Sequence, residues 1–315
     1  MRKSRSIKSI LDNANLKSEP NVNEIGYIIG PQINAASRLG ESNLPSKMLT
    51  SNDPIEIDSI SRKLGLLNEK RKLIENKIYE EAISQINVHD KLKYILVSND
   101  NWHNGVLGIE ASRLLDIYYR PIIIISFENN IGIGSARSIE SINLGNIIME
   151  AKNEGLLISG GGHKAAAGLK IEKSKFESFN NYLKKSFNIY EDNIFQKKFI
   201  CNDKISMNQI HSSLIEDLNK LEPFGNGNEE PNFIFTDVNI QSIKILKEKH
   251  ILVFCQNDIG KKIKCICFNS VNTVLGDYLL KYRNFKFELS GLLKEDKYSV
   301  NIEPQIIIKD LMLIN

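Results

Sequence analysis

The stretch Ser159-Gly160-Gly161-Gly162-His163-Lys164-Ala165-Ala166-Ala167-Gly168 decides how this chain is read. Three consecutive glycines before a histidine make poor ordinary secondary structure. Without Cβ atoms, successive N–H groups can converge on an anion. The Lys-Ala-Ala-Ala that follows is strong helix-forming sequence, so the pattern predicts a helix N-terminus whose dipole adds positive potential at the glycines. That combination suits a phosphate or a phosphodiester backbone. The plain alternative is a tight turn between strand and helix.

Outward from the glycines, residues 91–190 read as strands alternating with helices. Strands are expected at 94–97, at 122–126 and at 132–138, where Gly132-Ile133-Gly134-Ser135-Ala136-Arg137-Ser138 has a glycine-relaxed end. Helices are expected over 106–118, after Leu144, and over 174–187, where Phe176, Phe179, Leu183 and Phe187 share one face. Upstream, Asp53-Pro54-Ile55-Glu56 has the N-cap, first-position proline and third-position acid of a helix start. A long helix to about residue 86 follows, with Ile57, Ile60, Leu64, Leu67, Ile74 and Ile78 in one stripe. The charges Lys63, Glu69, Lys70, Arg71, Lys72 and Glu75 form its solvated face.

Residues 1–50 hold a short helical piece over 7–11 and a turn-rich segment over 30–40, with too little apolar material to fold alone. After a linker over 188–199 and a helix over 206–221, short alternating strands recur at 233–235, 240–246, 251–255, 262–268, 285–292 and 299–307. Strands of that spacing with polar turns predict a small β-barrel.

At 315 residues the chain suits two or three domains, and 42% hydrophobic with 25% charged residues is ordinary for a globular protein. A net charge of +3 permits a nucleic-acid partner without demanding one. Cys201, Cys255, Cys265 and Cys267 are too few and too irregular for a disulfide scaffold, and Cys265-x-Cys267 lacks a second pair for zinc, so reduced core thiols in a cytoplasmic protein are expected. Met1-Arg2-Lys3-Ser4-Arg5 begins as a signal peptide would, but no apolar segment follows it, and no run is long enough to span a membrane.

Phosphodiester hydrolysis needs metal-binding carboxylates and histidines, or a nucleophile with its base. His89-Asp90 is an isolated pair, and Asp100 with His103 lacks a second cluster. No Walker-type or dinucleotide-binding glycine loop is present. Anion-binding parts are plentiful: Asn34 and Arg38 in a glycine-bounded loop, Arg113 on the helix after Trp102-His103-Asn104-Gly105, Ser135 and Arg137 at a strand end, then Gly160, Gly161, Gly162, His163 and Lys164. Together they would make a basic groove for successive phosphates, although each arginine alone could be a surface or ion-pairing residue. Trp102, the single tryptophan, is either a core anchor or a base-stacking platform.

Five motifs carry a resemblance: Gly-Pro-Gln-Ile-Asn-Ala-Ala-Ser-Arg-Leu-Gly (30–40), Trp-His-Asn-Gly-Val-Leu-Gly-Ile-Glu-Ala-Ser-Arg-Leu (102–114) with Arg120-Pro121, Gly-Ser-Ala-Arg-Ser (134–138), Gly-Gly-Gly-His-Lys-Ala-Ala-Ala-Gly (160–168) and Leu-Glu-Pro-Phe-Gly-Asn-Gly-Asn-Glu-Glu-Pro (221–231). In this order they resemble the RecJ family, bacterial single-strand-specific DNA exonucleases of the DHH phosphoesterase superfamily. The resemblance spans nearly the whole chain. It implies an α/β architecture: the C-terminal remnant of a DHH domain over 1–50, a long connecting helix over 51–88, a mixed α/β DHHA1 domain over 89–190, and an OB-fold-like β-barrel over 195–315.

In that family the DHH domain holds two divalent ions, Mn²⁺ or Mg²⁺, and its Asp-His-His signature is absent from this sequence. The resemblance therefore implies the C-terminal part of a 5′-to-3′ exonuclease of DNA recombination and repair, which binds single-stranded DNA and does not cut alone. Two readings compete with it: a non-catalytic single-strand-binding module working with a separate DHH domain, and a DHHA1 protein of another class, such as a nucleotide phosphodiesterase or a tRNA-editing domain, against which the 221–231 motif and the barrel after it argue. By position, Arg38, Ser135, Arg137 and His163 match residues that line the family's phosphate path. Gln32 stands where the family usually has arginine and Ser37 where it usually has glycine, which weakens the expected grip at that segment.

Overall fold

The computed structural model describes residues 4–16, 20–87, 92–198, 200–225, 227–281, 286–296 and 303–314. His89, Asp90 and Asn226 lie outside them, as do the first residues of the strands expected at 285–292 and 299–307. The chain divides into two compact units, Met1–Lys197 and Lys198–Asn315.

The first unit opens with helices α1 (Arg5–Asn13), α2 (Val22–Glu24), a π-helical turn (Ile25–Ile29), α3 (Gly30–Arg38) and α4 (Asn43–Thr50). The segment expected to be a turn-rich loop is thus helical. Its Gly30-Pro31 pair continues the preceding helical run: the Gly30 N–H reaches the Ile25 carbonyl five residues back, a π-type widening just before the proline, which has no N–H to donate. The stop comes at Gly40, whose φ of +88° glycine adopts freely. Helix α5 (Pro54–Ser84) follows, with the Asp53 carboxylate accepting from the Ile55 N–H at 2.9 Å. Its N-terminal half, through Ile57, Ile60 and Leu64, completes a core with Ile10, Leu11, Ile29, Ala36 and Met48.

Strands β1 (Ile95–Asp100) and β2 (Ile122–Glu128) pair in parallel, and α6 (Leu107–Tyr118) makes the crossover between them. Next come β3 (Ile131–Arg137), α7 (Leu144–Asn153), β4 (Ser159–His163), β5 (Ala166–Glu172) and α8 (Phe176–Asn188). The sheet runs in the order β1-β2-β3-β5-β4. One face is covered by α7 and α8, whose Ile148, Phe179, Leu183 and Phe187 pack on Ile123, Ile125, Ala136, Ala167, Leu169 and Ile171. Tyr94 stacks on Phe187 with ring centroids 5.0 Å apart. On the other face, α6 and the end of α5 cover Ile95, Val97, Ile122 and Ile124. Central strand β2 is therefore buried on both sides, which is why it reads as an unbroken apolar run.

The helix expected from Lys164 onward does not form. Residues 160–168 make a β-hairpin, because Ala167, Leu169 and Ile171 bury alternate side chains in the α7–α8 core, and that period-two burial overrides the helix propensity of three alanines. The expected linker is also partly core: Phe195 is buried against the first unit.

The second unit comprises β6 (Asp203–Ser206), α9 (Ser212–Asn219), β7 (Asn232–Leu246), β8 (His250–Gln256), β9 (Lys262–Cys267), α10 (Val274–Lys281), β10 (Lys286–Glu295) and β11 (Pro304–Leu313). Its order β10-β11-β9-β8-β7-β6 closes on itself through a β10–β7 pairing, giving an OB-like ring. Two strands expected separately are one long β7 with a register shift after Ile240. The helix expected over 206–221 begins only at Ser212, because Ser206 and Gln209 close a capping box around a 3₁₀ turn and the His211 ring caps the helix that follows. Cys255, Cys265 and Cys267 are buried, free thiols inside the ring.

Candidate nucleic-acid interface

The sheet of the first unit is covered unevenly. Helix α6 and the α5 tail shield one face over β1 and β2, and that same face is open over β3, β5 and β4. Strand pairing sets three cross-strand rows on the open side: Arg137, Ala166 and His163; then Ser135, Gly168 and Gly161; then Ile133, Lys170 and Ser159. The alternation is visible in β3, where Gly132, Gly134 and Ala136 face the core and Ile133, Ser135 and Arg137 face outward.

The glycines divide into two kinds. A Cβ on Gly160 would stand 2.8 Å from Ile148 Cγ2, and one on Gly134 2.8 Å from Leu169 Cγ, so these positions are glycine because the core leaves no room. On the open side, a Cβ on Gly161 would meet only Met149 Cε at 3.9 Å, and one on Gly168 only the Gly134 carbonyl at 4.0 Å. Their bare backbone forms a shelf onto which a ligand can settle closely. Because β4 is an edge strand, one set of its backbone groups faces away from the ladder.

The shelf ends against the first turn of α6. A Cβ on Gly108 would lie 2.9 Å from Arg137 Nη2 and 3.2 Å from Ser135 Oγ, so absence of a side chain there lets both groups press in. Arg137 Nη1 donates to Ser135 Oγ at 3.2 Å and to the Ala136 carbonyl at 2.8 Å, which leaves donors of the guanidinium fork unspent. Arg38 reaches the 3₁₀ turn that leads into α6 (Asn104–Val106) from α3, donating to the Gly105 carbonyl at 3.0 Å. Burial, and next the neighbouring Arg38 charge, pull the Arg137 pKa down. Two guanidiniums that repel each other across a half-buried site favour an anion between them.

Of the residues singled out from sequence, Arg38, Ser135 and Arg137 converge on the 105–108 turn, and Gly161 and His163 continue the open face. Gly160 and Gly162 serve packing. Asn34 is exposed one helical turn before Arg38. Lys164 sits in the exposed hairpin turn, where its carbonyl accepts from the Leu144 N–H at 3.1 Å. Trp102 is core: it is 5% exposed, and its indole N–H donates to Glu81 Oε2 at 2.6 Å. Arg113 turns to α5, its Cζ 3.5 Å from the Tyr79 ring centroid and Nη1 3.3 Å from Asn76 Oδ1.

A second surface, missed in the sequence, lies on the second unit: a groove of about 910 Å³ whose lining includes Lys244, Lys262, His211 and Phe254 beside the acidic Asp296 and Glu303, with Lys264 Nζ paired to Asp296 Oδ2 at 2.6 Å. Lys244 Nζ lies 5.8 Å from the Phe254 ring centroid. Lys262-Ile263-Lys264-Cys265 was the available signal, since period-two alternation sends both lysines to one side and buries Ile263 and Cys265.

Among the described residues no three His, Cys, Asp or Glu side chains cluster as ligands. Asp100 Oδ1 is paired with Lys173 Nζ at 2.8 Å, and His103 Nδ1 accepts from the Gly105 N–H at 3.2 Å. No described helix is long and apolar enough to cross a membrane.

Comparison with known proteins agrees with this layout. A family model for the DHHA1 domain matches residues 91–188, and one for the RecJ OB domain matches residues 201–310. The single-stranded-DNA-specific exonuclease RecJ of Bacillus subtilis is 25% identical over 301 residues, which are 93% of this chain and 37% of that protein. The Haemophilus influenzae protein of the same name is 28% identical over 278 residues, 84% of this chain and 48% of its own length. The crystal structure of RecJ in complex with Mg²⁺ from Thermus thermophilus shares the fold with a TM-score of 0.80 at 22% identity, covering 99% of this chain and 47% of that one. A crystal structure of exonuclease RecJ bound to manganese matches with a TM-score of 0.55 at 27% identity over 62% of this chain and 48% of that one. The chain thus spans about half or less of the length of these relatives. A DHHA1 domain and a RecJ OB domain thus follow one another in this chain, which is similar along nearly all of its length to proteins of the one name RecJ.

Proposed function

We propose that this chain provides the strand-gripping part of a RecJ-type exonuclease that degrades single-stranded DNA from 5′ to 3′ in recombination and repair in the cytoplasm. The observation that carries the reading is the meeting of Arg38, Ser135 and Arg137 along residues 105–108, where a 3₁₀ turn runs into α6, beside a sheet face floored by bare glycine backbone. Phosphates of a single strand are the ligand this arrangement suits: guanidinium forks bind them bidentately, and the shelf admits the sugar-phosphate chain without a clash. In the groove of the second unit, Lys244 and Lys262 offer a further contact to the backbone, with Phe254 available for stacking. The divalent ions named for the solved RecJ relatives belong, on this reading, to residues outside this sequence, and the chain by itself binds without cutting.

The test is binding of a labelled single-stranded oligonucleotide across a salt series, together with a nuclease assay in Mn²⁺. Log affinity is expected to fall against log salt by about 0.7 per phosphate contact. Arg38→Ala and Arg137→Ala are each expected to weaken binding by roughly 10- to 100-fold and to lower the salt slope. A flat salt response, or variants that bind as wild type does, would remove the reading. Cutting by the chain alone would overturn its non-catalytic part.

A further inference from the structure

Glu110 has no place in the function proposed above, and its surroundings are unusual. It projects from α6 into the core between α6 and α5, is 0% exposed, and neither carboxyl oxygen has a hydrogen-bond partner. Arg113 is nearly one turn farther along α6, with Nη1 3.8 Å from Glu110 Oε2, beyond hydrogen-bond reach. That guanidinium is half exposed and also faces Tyr79 and Asn76 of α5. From α5 the cluster is closed by Glu75, tied to Arg71 Nη1 at 2.6 Å; both were expected on the solvated face of α5 but are largely buried here, and Arg38 of α3 acts on Glu75. Arg137 of β3 adjoins α6 at Gly108, while β2 contributes Ile122 and Ile124.

An ionised carboxylate in so dry a position, with no hydrogen bond, has one means of compensation within its own helix, which is to hold Arg113 inward. A neutral carboxyl makes no such demand. We propose that Glu110 is a positioning residue for Arg113: charged, it retains the guanidinium as an internal substitute for a phosphate, and protonated, it releases the guanidinium to an incoming strand.

The inference rests on the strand-binding reading above and extends it to pH. A strand phosphate that engages Arg113 removes the cation favouring ionised Glu110, so the complex holds the Glu110 proton more tightly than the free chain does. Binding therefore takes up a proton, and affinity falls as pH rises through the range in which free Glu110 ionises. Burial pushes that carboxyl up to about 7 against the pull of Arg113, with Glu75 adding to the rise, so the change falls at neutrality.

Oligonucleotide affinity measured at about pH 6 and about pH 8, on either side of the shifted value, tests this. Wild type is expected to weaken by roughly three- to tenfold more than Glu110→Gln over that interval, one charge-assisted contact's worth, with a salt slope lower by about 0.7 at the higher pH. Other titrating groups contribute equally to both proteins. Arg113→Ala should abolish the excess as well, and it carries the test if Glu110→Gln does not fold. Equal pH dependence in wild type and variants overturns the proposal. If no strand binds under any condition, the strand-binding reading fails, and the Arg113 Nε–H NMR resonance of the free chain then decides. A resonance that moves with pH in wild type, and stays fixed in Glu110→Gln, supports the coupling; a resonance that stays fixed in wild type overturns it.

Discussion

Replacing Glu110 with glutamine is expected to stabilise the first unit above neutral pH, by up to about 3 kcal/mol relative to its effect in acid. The cause is desolvation: burial lifts the folded-state pKa to about 7 from an ordinary value of 4.5, and Arg113 only partly offsets it. Between those values the folded chain keeps a proton that the unfolded chain has released. Wild-type stability therefore falls as pH rises from about 4.5 to about 7 and levels off above. Below the lower value both states are protonated and the penalty vanishes. Glutamine, of the same shape and never charged, has no such slope. Urea unfolding followed by Trp102 fluorescence is the measurement, since that single tryptophan lies in the α5–α6 core and reports on this unit. Wild-type and variant stabilities that run parallel between acid and neutral pH would mean that Glu110 is charged and well compensated in the fold.

The same residue shows what the sequence made legible and what it hid. Leu107, Glu110, Ala111 and Leu114 share the inner face of α6, so a glutamate in an apolar stripe was a visible signal. The elements read correctly were those whose burial pattern and local chemistry agree. Helix α5 has its Asp53 cap, its proline and its stripe of isoleucines. Strand β2 is apolar throughout because two layers cover it. The misread elements were those in which local propensity opposed tertiary demand. Ala165, Ala166 and Ala167 favour helix locally, yet the core under β5 needs small and apolar groups at alternate positions, and the chain turns there as a hairpin. Gly30-Pro31 punctuates most chains but here lies within a continuous helical run.

The convergence of site residues was beyond single-sequence reading for a different reason. Arg38, Gly105 and Arg137 are joined by the docking of α3 on the turn before α6 and by the antiparallel return of β3, and neither is encoded by spacing. Residue types carried the expectation of an anion site; only the register of β3, β5 and β4 assigned Ser135, Arg137, Gly161 and His163 to one face.

Adjacent glycines of the hairpin are expected to respond oppositely to the same added methyl. A Cβ on Gly162 would stand 2.2 Å from the Ala166 carbonyl oxygen and 2.5 Å from Ala167 Cα, both backbone atoms of the paired strand, so neither can move without opening the β4–β5 ladder. Gly162→Ala should cost more than about 4 kcal/mol and leave the first unit without a cooperative melt, because Ala167 and Leu169 would lose their places in the α7–α8 core. At Gly161 the methyl has space, and an alanine in a strand is if anything easier to order than glycine. Gly161→Ala should therefore melt within about 0.5 kcal/mol of wild type. The methyl would nevertheless stand on the open shelf in the Ser135 row, where the proposed strand path needs bare backbone, and affinity for a single-stranded oligonucleotide should drop by about tenfold, roughly 1.4 kcal/mol of lost approach. Melting curves paired with oligonucleotide titrations separate the two positions. Undiminished binding by Gly161→Ala would show that the strand passes over Arg137 and His163 without touching the glycine floor, and would move the path toward the α6 turn and Arg38.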